Sequence, residues 1–328
     1  MQSFLASGLL EGKVHSLRMR SADPSSVSFK SITMKLITTH GRGLMAAMIL
    51  SLFRFSTTES QAAHPIPDAY KISGFALGCQ AYTFNRFSVY EAIEKTDQAG
   101  GRIIEFYPGQ KLSKEEPTVK WDHNASSAVV EAVKAKLAKH KIKAVNYGVV
   151  GIPQSEAEAR KIFEFAKTME LYAVTTESLD ALDTIEKLVK EFDIKVAFHE
   201  HAKNPANPAY KIWDPSYLAS RLEGRDARIG ACADTGHWAS SGLKPVECLR
   251  ILKGRIVSSH LKERAAIGSH LPDQVYGLGV SDIAGCLQEL KAQGFDGNIS
   301  IEYENNWDHS VPDVAQCIGF VRGWGVTK

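Results

Sequence analysis

Residues 195–204 read KVAFHEHAKN, and this stretch decides the fold. An apolar run that ends in His199, Glu200 and His201 is typical of a buried strand whose C-terminal end carries chemistry. Three later segments repeat the pattern, each with an Asp, His or Glu after a short apolar run. They are 229–238 (IGACADTGHW), 255–262 (RIVSSHLK) and 298–304 (NISIEYE). Four such endings in one half of the chain predict one shared site.

Strand-like and helix-like segments alternate along the chain from about residue 75 to residue 324. The eight predicted strands cover residues 75–83, 102–107, 142–147, 171–175, 195–199, 229–233, 256–259 and 299–303. Such alternation favours parallel strands with right-handed crossovers, and eight units in about 250 residues predict a single-domain (β/α)8 TIM barrel. An open doubly wound sheet is the alternative, but no GxGxxG follows strand one, where a dinucleotide fold would need it.

Two helix starts carry the pattern of a capping box. Ser88 is followed three residues later by Glu91, and Ser155 by Glu158. In a capping box the Ser side chain and the Glu side chain each bind the other residue's backbone N–H, which predicts helices beginning at these positions.

Residues 1–63 are predicted to be a leader that precedes the barrel domain, 64–328. A start at Met34 gives a basic segment, then a short apolar run over 43–53, then small residues at 60–63 that suit a cleavage site. The run is too short for a stable membrane anchor, which needs about 20 residues. We therefore expect an exported protein, periplasmic or secreted. A membrane anchor or a leader without targeting function stays open, and without a signal peptide the protein would be cytoplasmic.

The composition narrows the class of protein. The 328 residues are 44% apolar and 23% charged, with a formal net charge of +2. The basic residues are spread along the helices, which argues against a nucleic-acid partner. Five cysteines without a CxxC pair suggest neither a disulfide framework nor a zinc–thiolate site.

The ends of strands five to eight carry a candidate metal site. In a barrel the C-terminal strand ends converge, so residues distant in sequence become neighbours there. A set of nitrogen and oxygen ligands suits Mn²⁺, Zn²⁺, Co²⁺ or Fe²⁺, with Mg²⁺ kept open, better than Ca²⁺. Each residue alone could be a loop hydrogen-bonding residue, but the joint pattern favours a metal. The predicted ligands are His199, Asp234, His260 and Glu302.

Four further side chains are predicted to surround the metal as catalytic residues: Glu177, His201, His237 and Lys262. A metal ion that polarises a carbonyl makes the neighbouring carbon-bound proton more acidic, and a general base then removes it. The candidate bases are Glu177, His201 and Glu302. His237 or Lys262 would hold substrate oxygens.

The local register leaves two points open. His199 and His201 face the same side of a continuing strand, with Glu200 on the other, whereas a bent strand would make Glu200 the ligand. Glu105, inside strand two, is either a substrate or metal contact or a buried carboxylate paired with a neighbour such as Arg102.

Several segments resemble one superfamily when they are taken in order. After FHEH (198–201) come ADTGHW (233–238), SSHLKE (258–263), QVYGLGVSDI (274–283) and ISIEYE (299–304). Together they resemble the sugar phosphate isomerase/epimerase superfamily, the xylose isomerase-like barrels, over about residues 75–324. Asp234 and His237 match the DTxH segment of that superfamily, and His260 matches its strand-seven histidine. Residues 277–282 match its glycine-rich loop, and Glu302 its strand-eight glutamate.

The resemblance implies a divalent-metal-dependent enzyme that acts on a sugar, keto-sugar or inositol derivative through an enediolate-like intermediate. The small-molecule partner would be a carbohydrate. Ketose 3-epimerases of the superfamily have a metal-bound glutamate where this chain has His199, so simple 3-epimerisation is less favoured than dehydratase-type lyase chemistry.

Other activities remain as alternatives. The trinuclear endonuclease IV branch is disfavoured, because its further His and Asp ligands are not found in this sequence. A metal-dependent hydrolase and a non-catalytic sugar-binding barrel stay open, as does assembly into a homo-oligomer.

Overall fold

The computed structural model describes residues 65–327. The predicted leader, 1–63, lies outside the described residues. Among the helices of residues 65–327, none is long and apolar enough to cross a membrane.

Eight parallel strands form a closed barrel, as the sequence predicts. The first strand pairs in parallel with both the second and the last, so the sheet has no open edge between them. The strands are β1 (Phe75–Gln80), β2 (Ile103–Phe106), β3 (Lys143–Tyr147), β4 (Ala173–Thr176), β5 (Lys195–His199), β6 (Ile229–Asp234), β7 (Ile256–Leu261) and β8 (Asn298–Ile301). Short strands outside the barrel form two-residue antiparallel pairs, which the sequence analysis did not predict.

Helices alternate with the strands and pack around the barrel. They are α1 (Val89–Ala99), α2 (Ser127–His140), α3 (Glu156–Thr168), α4 (Leu182–Phe192), α5 (Pro215–Leu222), α6 (Thr235–Ser240), α7 (Pro245–Ile251), α8 (Ile283–Ala292) and α9 (Val311–Val326). Helix α6 was not predicted. It has six residues, includes a glycine and begins directly at the end of β6, so it is too short for a periodic pattern.

One of the two predicted capping boxes is confirmed. Ser88 Oγ accepts a hydrogen bond from Glu91 N, and Glu91 Oε2 accepts one from Ser88 N. The box at the start of α3 is wrong: Ser155 makes no side-chain capping bond. The carboxylate of Glu158 instead binds Lys161, one turn further along the exposed helix face.

Apolar packing is divided between two sides of the sheet. The larger cluster fills the space between the strands and the helices. A smaller cluster lies inside the barrel, where Ala76, Ile103 and Val145 meet, and Ile66 joins it from the segment before β1. A Cβ at Gly78 would lie 1.8 Å from the carbonyl oxygen of Ile103, so glycine is required where β1 approaches β2.

The strand register brings the predicted ligands to one level. His199 pairs with Cys232, two residues before Asp234, and Asp234 pairs with His260. His260 in turn pairs with Ser300, two residues before Glu302. A step of two residues keeps the same face of a strand. All four predicted ligands therefore point to the barrel interior at its C-terminal end.

Candidate metal centre

The four predicted ligands form one compact group. One ligand-type atom from each of His199, Asp234, His260 and Glu302 lies within 4.8 Å of the corresponding atoms of the other three. His199 Nε2 is 3.5 Å from Asp234 Oδ2, and His260 Nδ1 is 3.2 Å from Glu302 Oε2. All four residues are buried. The structure thus brings together the four predicted ligands, each of which lies within one residue of the end of β5, β6, β7 or β8.

A buried carboxylate lies on the far side of His260. Glu105 Oε2 is 3.1 Å from His260 Nε2, so that Nδ1 of the same ring faces the other three ligands. Glu105 is held in place by hydrogen bonds that its carboxylate accepts from Thr175 Oγ1 and Ser300 Oγ. Of the two roles considered from the sequence, the structure supports the buried, paired carboxylate, but the partner is His260 and not Arg102. This carboxylate occupies the place beside the imidazole that acidic partners of metal-binding histidines take.

A second carboxylate orients His199. Glu177 Oε1 accepts hydrogen bonds from His199 Nδ1, at 2.8 Å, and from His201 Nδ1, at 2.6 Å. The other oxygen, Oε2, accepts a hydrogen bond from Tyr210 Oη. Burial raises the pKa of Glu177. The hydrogen bonds from both imidazoles have the larger combined effect and lower the pKa to about 2. An ionised Glu177 therefore fixes the Nδ1 side of both rings and leaves the Nε2 atom of His199 facing Asp234.

The position of Glu200 answers the register question that the sequence left open. Glu200 is fully buried, and its Oε1 accepts a hydrogen bond from the backbone N–H of Asp234. It does not belong to the four-residue group. Because β5 continues through His199, alternate residues face opposite sides, and His199 is the strand-five member of the group.

Asp234 links the strand ends to helix α6. Its Oδ1 accepts a hydrogen bond from His237 N and caps the helix, while Oδ2 faces the imidazole of His199. The cap places the His237 ring 5.0 Å from the His201 ring, centroid to centroid. The motif DTGH therefore delivers a carboxylate and an imidazole to the same site within one helical turn.

Lys262 is buried beside the two carboxylates of the group. Its Nζ lies 2.8 Å from Glu302 Oε2 and 3.2 Å from Asp234 Oδ2, with Glu304 Oε1 at 3.5 Å. Burial lowers the pKa of Lys262, but these carboxylates raise it to well above its usual value. Burial raises the pKa of Asp234 and of Glu302, but neighbouring positive charges bring both well below the usual range. The structure therefore holds a buried ammonium between two ionised carboxylates.

The group forms part of the wall of an open cavity of about 280 Å³. His199 and Glu302 line it, together with the predicted catalytic residues His201 and His237. The lining also includes two aromatic residues that the sequence analysis did not single out, Tyr82 and Tyr107. A substrate in this cavity would therefore meet imidazoles and carboxylates as well as aromatic rings.

The donor set fits a divalent cation. His199 Nε2, Asp234 Oδ2 and His260 Nδ1 are buried atoms that make no hydrogen bond with the described residues. Buried polar atoms are normally satisfied, and a shared cation would satisfy these three together. Two imidazoles and two carboxylates are suited to Zn²⁺, Mn²⁺, Co²⁺ or Fe²⁺.

Known proteins match this chain in sequence and in fold. The family described as xylose isomerase-like TIM barrel matches residues 170–322, which run from the start of strand four into the last helix. A solved structure of an uncharacterised protein from Parabacteroides distasonis ATCC 8503 is 29% identical, with a TM-score of 0.60. That similarity covers 75% of this chain and 98% of the other. Over residues 170–322 the chain therefore resembles the xylose isomerase-like TIM barrels.

Two further solved structures share the fold at lower identity. D-allulose 3-epimerase from Methylomonas sp., solved with D-allulose, is 15% identical with a TM-score of 0.57, over 75% of this chain and 96% of its own. The IOLI protein, solved with a zinc atom, is 17% identical with a TM-score of 0.54, over 76% and 98%. No protein with curated annotation matches the chain.

The predicted catalytic residues fall into two pairs in this barrel. His201 and His237 line the cavity, as a base or a substrate contact must. Glu177 and Lys262 are not among the lining residues: the first binds two imidazoles, and the second lies behind the carboxylates. Their geometry favours positioning and charge compensation over direct contact with a substrate.

The roles of Glu105 and Tyr210 could not be found from the sequence. Glu105 ends an apolar strand and was noticed for that reason, but its partner His260 is 155 positions away. Tyr210 lies in the loop after β5, where no periodic pattern marks it. For Tyr82 and Tyr107 a weak signal exists, because each lies within two residues of the C-terminal end of an observed strand.

Replacing Glu177 with Gln is expected to weaken binding of a divalent metal by about 10-fold to 100-fold, the usual effect of losing the carboxylate partner of a metal-binding histidine. The amide cannot accept two imidazole N–H bonds with a full negative charge, so the His199 ring loses its fixed orientation. Isothermal titration calorimetry with Zn²⁺ or Mn²⁺ measures the change in metal affinity.

The matched control is Tyr210→Phe, which keeps the Glu177 carboxylate but removes the hydrogen bond to its other oxygen and the one that Tyr210 Oη accepts from His201 N. It should cost less metal affinity than Glu177→Gln. Equal affinities of Glu177→Gln and the unchanged protein would show that Glu177 does not support His199.

Proposed function

We propose that this protein is a divalent-metal-dependent isomerase, epimerase or dehydratase-type lyase that acts on a sugar, keto-sugar or inositol derivative. The observation that carries the proposal is the buried group of two imidazoles and two carboxylates at the C-terminal end of the barrel, open to a cavity on one side. The C-terminal face is where enzymes of this fold carry their active sites.

Solved structures of the same fold support the substrate class. They include a D-allulose 3-epimerase in complex with D-allulose and a D-psicose 3-epimerase with D-tagatose. The zinc atom in the IOLI structure supports a metal in this fold. The residues that would hold it here are His199, Asp234, His260 and Glu302.

The metal, when bound, would polarise a substrate carbonyl and stabilise negative charge that develops on its oxygen. The proton transfer falls to residues of the cavity wall. His201 is the best-placed base, because its Nδ1 is bound to Glu177 and its Nε2 is thereby left free to accept the carbon-bound proton. His237, held by the cap of helix α6, is placed to bind a substrate oxygen.

Deuterium exchange tests this proposal. The protein is loaded with Mn²⁺, Zn²⁺ or Co²⁺ and incubated in D₂O with keto-sugars and inososes, with and without a chelator, and the products are examined by NMR. We expect metal-dependent deuterium uptake on the carbon next to the carbonyl. Turnover of the substrates without any such exchange would favour hydrolysis, and metal-independent exchange would contradict the assigned site.

We also propose export of the protein, which rests on the sequence of the leader alone. The test is N-terminal sequencing of the protein recovered from its own host. A mature N-terminus near residue 64 in the periplasmic or secreted fraction would support the proposal. An uncleaved chain in the cytoplasm would contradict it.

A further inference from the structure

The cavity at the candidate metal centre continues into a second one. The first lobe is the cavity of about 280 Å³ described above, and the second lobe has a volume of about 430 Å³. Three residues line both lobes: His201, His237 and Glu304. The side chains proposed to carry out proton transfer thus lie at the junction of a longer cleft and not at its closed end.

The first lobe has a wall suited to a sugar ring. The exposed ring of Tyr82 packs edge-on against Tyr107, at 5.3 Å between centroids, and against Trp307, at 6.1 Å. Tyr82 keeps 40% of its surface exposed. Sugar rings present C–H groups on their faces, which pack on aromatic rings, while their hydroxyl groups bind polar lining residues. The metal-binding atoms border only this lobe, so the reacting ring belongs here.

The second lobe has a polar lining. Lys203, Asn204, Arg264 and His270 contribute hydrogen-bonding side chains to it. The ammonium of Lys203 lies 4.9 Å from the ring centroid of Trp213 and makes no ion pair within residues 65–327. An apolar group would leave such polar atoms without partners, whereas hydroxyl groups would bind them.

The walls of the second lobe are fixed by hydrogen bonds to the segment that carries His237. Lys203 N donates to Ser241 Oγ, which in turn donates to the carbonyl oxygen of His237. From the other wall, Gly268 N donates to the carbonyl oxygen of Ala239. Both walls therefore keep a defined position relative to His237, as a binding subsite requires.

We infer that the cleft binds a substrate of two sugar units, with the reacting ring in the first lobe and the second ring in the second lobe. The substrate class is then a disaccharide or the end of a glycan and not a free monosaccharide. The inference rests on the proposed function for the choice of the reacting ring.

Binding measurements on the metal-loaded protein test this inference. The probes are trehalose, maltose and cellobiose, each compared with methyl α- or β-glucopyranoside by calorimetry. One added hydrogen bond to a charged group corresponds to about tenfold in affinity. We expect at least one disaccharide to bind about tenfold more tightly than its methyl glycoside. Equal affinities across the whole panel would overturn the inference.

Substitutions show which lobe provides the gain in affinity for a disaccharide. The double variant Lys203→Ala/His270→Ala should lose most of the advantage of the disaccharide, whereas Tyr82→Ala should weaken both kinds of probe. Lys253→Ala, an exposed lysine at the opposite end of the barrel, is the matched control. A disaccharide advantage that survives in the double variant would place the second ring elsewhere and contradict the two-lobe assignment.

These outcomes are separate from those of the proposed function. Binding needs no turnover, so a protein that prefers disaccharides but exchanges no deuterium would contradict the proposed chemistry and leave the two-unit cleft standing. A protein that exchanges deuterium on monosaccharides, with no gain in affinity from a second ring, would contradict the two-unit cleft and leave the proposed chemistry standing.

Discussion

Replacing Glu302 with Gln is expected to lower metal-dependent turnover by about a thousandfold. Glu302 supplies one of two carboxylates in the four-residue group, and its Oε2 lies 3.2 Å from His260 Nδ1. A metal ion contributes several kcal/mol of transition-state stabilisation, and each tenfold in rate corresponds to about 1.4 kcal/mol. The readout is the rate of deuterium exchange on the substrate that the unchanged protein enolises, at saturating metal.

A second substitution and a control make this result specific. His260→Ala should cause a loss of similar size, because residues that hold one metal act as a unit. Glu247→Gln makes the same chemical change on an exposed side chain of helix α7 and should leave the rate unchanged. Normal turnover in Glu302→Gln, with the fold intact by circular dichroism, would show that Glu302 is not needed for the reaction.

Replacing Lys262 with Met is expected to make the stability of the protein depend strongly on metal. In the metal-free protein the Lys262 ammonium compensates the charges of Asp234 and Glu302, both of which are buried. Removing one partner of a buried ion pair costs about 3–5 kcal/mol, because the remaining charge is left uncompensated. A divalent cation at the same carboxylates would restore the compensation. Urea unfolding with chelator and with saturating Zn²⁺ measures the free energy of unfolding of the metal-free and the metal-bound protein.

The same substitution should tighten metal binding. The ammonium and a metal ion would be attracted to the same two carboxylate oxygens, so removing the ammonium removes a competitor. Lys253→Met, on the surface, is the control and should change neither stability nor metal affinity. Weaker metal binding in Lys262→Met would contradict this account and indicate that Lys262 helps to assemble the site.

The fold and the four-residue group could be predicted because both depend on local patterns. Each strand is a short apolar run, and each ligand stands at the end of such a run, so the convergence of strand ends in a barrel brings the ligands together. The choice between His199 and Glu200 needed the structure, because one residue of register moves a side chain to the opposite face. The structure shows that β5 continues regularly through His199.

The supporting contacts could not be predicted, because they join residues far apart in sequence. Glu105 lies beside His260 only after β2 and β7 close into the same barrel. Lys262 was expected beside the substrate, but a strand that extends to Leu261 carries it into a buried position behind the carboxylates. The short helix α6 was missed although the contact that starts it is local. Its start is fixed by a single cap from Asp234 and not by a periodic pattern.

The most direct test of the metal centre is the metal stoichiometry of the purified protein, measured by elemental analysis after equilibrium dialysis against Zn²⁺ or Mn²⁺. The unchanged protein should bind one tightly held ion per chain at His199, Asp234, His260 and Glu302. The ion should be lost from both His260→Ala and Glu302→Ala. Absence of a bound ion in the unchanged protein, or undiminished stoichiometry in both variants, would contradict the assignment of this site.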